Sequence, residues 1–78
     1  MNQHQPRCER SELSGRYTEG GITVGVEIFR PSGSDEWRME VTSLEDQLTE
    51  WNESFASAHE AWEEFIHVVN TEGLSVFL

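Results

Sequence analysis

Two short patterns late in the chain hold the residue types that metal and acid–base chemistry use. His59-Glu60-Ala61-Trp62-Glu63 differs from the zinc-binding H-E-x-x-H pattern in one place, with Glu63 standing where the second histidine ligand belongs. Glu64-x-x-His67 has the carboxylate–histidine spacing of di-iron bundles, which need two such helices and further glutamates. Neither set is complete. No third zinc ligand is apparent, and one helix supplies half of one di-iron site. A small metal-binding protein is therefore an alternative reading, resting on Glu60, Glu63, Glu64 and His67. The simpler account is the polar face of a helix: acids in a first turn complement the macrodipole, and residues three or four apart form surface pairs.

Nothing else in the chain improves the case for catalysis. Cys8 and His4 lie where no scaffold is expected to fix their geometry. Gly20-Gly21-x-x-x-Gly25 lacks the Lys-Ser/Thr of a phosphate loop. No nucleophile–base pair can be read from the order of residues. The expectation is a non-enzymatic protein with no cofactor, and Glu60, Glu63, Glu64 and His67 then become a candidate acidic face.

Charge is the most unusual property. The net charge is −10, and there is no lysine. Residues 1–38 hold all five arginines (Arg7, Arg10, Arg16, Arg30, Arg38) against six acids, whereas residues 39–78 hold nine acids and no basic residue. Binding to nucleic-acid phosphate needs Lys or Arg to displace counterions, so direct nucleic-acid binding is not expected. A basic protein partner fits better.

At 78 residues the chain has room for one domain. Domains this small gain from disulfides, metals or a second subunit. A lone cysteine excludes an internal disulfide, which makes a second subunit the leading supplement. No apolar stretch is long enough to cross a membrane. The polar N-terminus has no apolar leader region, so a reducing cytoplasm is the expected compartment.

The elements that must position these groups follow from periodicity. Residues 1–20 read as a flexible tail, with scattered apolar residues such as Leu13 and Tyr17. Gly20-Gly21 opens a single ordered domain over residues 21–78. In residues 22–30, Ile22, Val24, Val26 and Ile28 alternate with Thr23, Gly25 and Glu27, which predicts a strand. Pro31-Ser32-Gly33-Ser34-Asp35 is a turn, and residues 36–43, with Trp37, Met39 and Val41 on one face, predict its hairpin partner. A helix is predicted over residues 58–70, opened by a capping box of Ser57 and Glu60 and ended at Gly73. Its apolar stripe is Ala58, Ala61, Trp62, Phe65, Ile66, Val68 and Val69. Residues 74–78 read as a short terminal strand.

Residues 44–56 support two readings. Leu44, Leu48, Trp51, Phe55 and Ala58 continue a heptad spacing into the helix, which allows one helix over residues 44–70. Against this stand the weak helix formers Thr49, Asn52 and Ser54 and the capping box at Ser57, which has no use inside a helix. A third strand over residues 47–53 is the favoured reading, because three strands on a helix can stand alone. The expected fold is α+β: a three-stranded antiparallel meander packed by one C-terminal amphipathic helix, then a short strand, in the order β-β-β-α-β.

The runs VEIFR, EWRMEV, TEWNESF, SAHEAWEEF and EGLSVFL resemble a small bacterial family of hypothetical or plasmid-related proteins over residues 24–78. The resemblance implies the same β-β-β-α-β order. It carries no activity and assigns no functional residue.

The remaining aromatics motivate the functional expectation. Phe29 opposes the Ile22–Ile28 row, Trp51 opposes Leu48, and Phe77 opposes Val76. If Phe29, Trp51 and Phe77 cluster, they form a partner surface on the sheet face that the helix leaves bare. The expected function is a non-enzymatic acidic interaction module, self-associating as a homodimer or binding a basic protein. A further alternative is a nucleic-acid mimic, with Glu45, Asp46, Glu50, Glu53, Glu60, Glu63 and Glu64 arrayed like phosphates to inhibit a basic-groove protein.

Overall fold

The computed structural model describes residues 8–78. Ten residues of alternating β-branched character make the longest strand, Ile22–Pro31, labelled β3 below, and every other pairing is built from it. The strands before it are β1 (Cys8–Arg10) and β2 (Gly15–Glu19); those after it are β4 (Arg38–Ser43) and β5 (Leu48–Glu50). One edge of β3 pairs with both β1 and β2, and the other pairs with β4, which in turn pairs with β5. All the pairings are antiparallel. The helix α1 (Ala58–Glu72) and a 3₁₀ turn (Leu74–Phe77) complete the chain. The meander and the helix on one face are as the periodicity predicts.

The register explains the core. Val26 lies opposite Val41 and Ile28 opposite Met39, so the inward rows of β3 and β4 meet side by side. Val24, Val26, Ile28, Met39 and Val41 are fully buried there, beneath Ala61, Phe65 and Val69 of α1. Phe65 is the centre of an aromatic group. Tyr17 meets it edge-on at 5.2 Å, and Phe77 stacks on it at 5.8 Å. The Ser57 hydroxyl caps α1 by accepting from the Glu60 N–H at 3.1 Å.

Two expectations are corrected, and the less favoured reading of residues 44–56 is excluded. Within the predicted tail, β1 and β2 are strands of the sheet; residues 1–7, His4 among them, lie outside the described residues. A single side chain anchors β2, as Tyr17 packs against Trp62 and Phe65 while Arg16, Thr18 and Glu19 stay exposed. Between the two strands Ser14 stands in for a strand backbone: its hydroxyl accepts from the Ile28 N–H at 2.9 Å and donates to the Ile28 carbonyl at 3.1 Å.

The predicted terminal strand is a 3₁₀ turn. Side chains three apart eclipse in that conformation, so Leu74 and Phe77 both enter the core and Ser75, Val76 and Leu78 stay out. A strand would have divided Leu74 from Phe77. Gly73, at φ 83°, makes the bend between helix and turn.

The continuous helix over residues 44–70 does not form, since β5 occupies part of that segment and α1 begins at Ala58. Ser43 decides the matter locally. Its buried hydroxyl accepts from the N–H groups of Glu45 and Gln47, and its own N–H bonds the Gln47 carbonyl at 2.9 Å. These bonds fold a tight turn where a helix would need to run straight on.

Candidate interaction surfaces

The three aromatics expected to cluster take different places. Phe77 is buried, at 3% exposure, and the Trp51 ring lies 6.1 Å from it. The Trp51 indole N–H points to a Glu64 carboxylate oxygen at 3.4 Å, which ties the end of β5 to the helix. Phe29 stands on the opposite sheet face between Arg10 and Arg38 of the neighbouring strands. Phe29 and Trp51 do line one shallow cleft of about 200 Å³ together with Arg38, Glu40 and Glu50. Phe77 does not contribute to it, because the 3₁₀ turn reverses the parity that a strand would have had.

The bare face of the sheet is charged: Glu27, Glu40 and Glu50 stand abreast on neighbouring strands, and Arg10 pairs with the first of them. Arg10 grips Glu27 with two hydrogen bonds of 2.8 and 2.9 Å. That guanidinium holds the Glu27 carboxyl below its ordinary range, first by hydrogen bonding, and the carboxylate raises Arg10 in return. Arg30, in line with Ile28 and so on the opposite face of β3, pairs with Glu9 and lies 5.5 Å over the Trp37 ring. Antiparallel sheets commonly keep one such face in water.

The candidate acidic face has another character. Glu60, Glu63 and His67 are exposed on α1, Glu64 is half-buried beside Trp51, and Glu72 is exposed at the far end. His59 lies 2.9 Å from Glu63, a pair that carries opposite charges only when the imidazole is protonated. No Lys or Arg occurs on the helix. The acids proposed to imitate phosphates are scattered. Glu50 faces out beside Glu40 on the bare sheet face, Glu45 and Asp46 sit in the β4–β5 turn, and the others lie on or near α1. They do not follow one continuous row.

Among the described residues no three His, Cys, Asp or Glu side chains converge as metal ligands. Glu60, Glu63, Glu64 and His67 share a helix but bring in no ligand from a second element. A cleft of about 590 Å³ is an open hollow at the β3–β4 turn lined by Glu9, Arg30, Pro31, Ser32, Gly33, Ser34 and Asp35. It lacks the apolar and aromatic walls of a small-molecule site. No helix among the described residues is long and apolar enough to cross a membrane.

One surface escaped the sequence reading. At the end of the sheet where β3 begins, Ile22, Leu44 and Leu78 line a cleft of about 190 Å³ with Gly21, Thr23 and Glu45. Leu44 is 73% exposed and Leu78 57% exposed. The heptad spacing had singled out Leu44, but as part of a helix stripe. Its true setting depends on the turn that Ser43 organises.

No family model, curated protein or solved structure matches the chain.

Proposed function

We propose that this chain is a non-enzymatic interaction module that docks a positively charged protein surface. The observation that supports the reading is the difference in charge pairing between the sheet and the helix. Arg10 and Arg30 are paired with Glu27 and Glu9 on the sheet, while α1 presents Glu60, Glu63 and Glu72 without any Lys or Arg nearby in its sequence. Unneutralised charge of one sign sets up a field that steers and selects partners of the other sign. Net charge of −10 also works against a second copy as the partner.

Titration with oligolysine at low and physiological salt tests this. Binding that weakens steeply with salt, and that weakens again in a Glu60→Gln/Glu63→Gln/Glu72→Gln variant, is the expected result. Absence of binding at low salt, or binding indifferent to the three substitutions, refutes the reading.

A further inference from the structure

We infer that the Ile22–Leu44–Leu78 cleft is the apolar anchor point for that partner, and that its occupant is a cationic amphipathic segment. This inference rests on the reading above for the sign of the partner's charge. The cleft supplies its own reasons for the rest.

Leu44 is held out in water by an ordered turn. Ser43, 4% exposed, fixes the turn through its hydroxyl and backbone, and Asp46 completes it at φ 65°. The leucine is therefore presented in one position. Ile22, half-buried at the start of β3, forms the floor, and Leu78, 57% exposed, closes the other wall. Isolated exposed leucines are ordinary, but two that converge with Ile22 on one concave site mark a docking point.

Size and charge select the occupant. A cleft of about 190 Å³ is smaller than the usual small-molecule pocket of about 300–1,000 Å³, so it suits an inserted side chain. Glu45 lines it, Asp46 follows in the same turn, and Glu19 lies opposite Ile22 on β2. Among the described residues no Lys or Arg lines it. A second copy would bring these acids against their own kind, and anionic lipid or nucleic acid would be repelled in the same way. An apolar side chain flanked by Lys or Arg satisfies both the floor and the rim.

The test compares an amphipathic Leu/Lys peptide with oligolysine of equal charge, by calorimetry and by amide chemical shifts. The Leu/Lys peptide should bind at least about tenfold more tightly, which is what one buried leucine side chain supplies. Its shifts should centre on Gly21, Ile22, Thr23, Leu44 and Glu45. Leu44→Asn should remove the advantage and leave oligolysine binding unchanged, with unaltered amide spectra elsewhere as the check on folding. Equal binding of the two peptides overturns the anchor and leaves the charge reading standing; binding of neither overturns both. Concentration-dependent dimerisation in sedimentation that Leu44→Asn abolishes overturns the choice of occupant in favour of a second copy.

Discussion

The two ends of the sheet meet the same difficulty in opposite ways. At each, strands run out and apolar side chains near the core approach water. At the end formed by the β3–β4 turn, Trp37 and Phe55 exchange two backbone hydrogen bonds of 2.8 Å each. Arg30 lies over the Trp37 ring, and Ser54 donates to Glu36 across the same strand entry at 2.9 Å. There the apolar side chains are covered by the chain itself, and the hollow beyond them is polar. At the other end Ile22, Leu44 and Leu78 have no such cover. Both ends are ordered by specific hydrogen bonds, so the difference is one of covering and not of rigidity. The contrast is between apolar side chains covered by hydrogen-bonded chain and apolar side chains left in water.

The largest effect should come from the core that both ends share. Phe65→Ala removes a fully buried ring and should cost about 3–5 kcal/mol. That is a large part of the roughly 4–12 kcal/mol expected for a domain of this length. Urea denaturation reads it directly; a loss below about 1 kcal/mol would mean that Phe65 does not pack as described. Trp37→Ala attacks the covered end and should cost about 1–3 kcal/mol, since the ring is half-buried and covered by Arg30.

A smaller effect is expected on the charged sheet face. The Glu27 carboxyl titrates below its unfolded value, so the Arg10 pair stabilises the fold above about pH 4. That contribution disappears as pH falls through the lower folded value. Because the Glu27 side chain is 45% exposed, the loss in Glu27→Gln should stay under about 1 kcal/mol at pH 7. Denaturation midpoints of wild type and variant should converge on acidification; a gap that widens instead reverses the assigned sign. Smallest of all, Leu44→Ser at the open end should change stability by no more than about 0.5 kcal/mol. A cost like that of Trp37→Ala would show that the open end is packed after all, and the contrast would be lost.

Legibility in the sequence followed the number of side chains that each element buries. Ile22, Val24, Val26 and Ile28 alternate strongly enough to announce β3, and the stripe through Ala61, Phe65 and Val69 announces α1 with its Ser57 cap. Strand β2 was hidden because Tyr17 alone anchors it, and one residue makes no period. The bridge from Ser14 to Ile28 was hidden because a serine hydroxyl that replaces backbone partners looks like any loop serine. The candidate acids of α1 could be named in advance, but the contrast with the sheet's paired arginines could not, because Arg10–Glu27 and Arg30–Glu9 join residues far apart in the chain.

Local order thus settled the amphipathic helix, the central hairpin and the acidity of the second half, because each depends on neighbours within a turn or a strand. The fate of Leu44, Phe77 and Trp51 was settled by the whole fold. The spacing of Leu44 and Trp51 admitted helix or strand and that of Phe77 pointed to a strand; only the Ser43 turn, the bend at Gly73 and the Glu64 tether determined which of them were buried and which was left exposed.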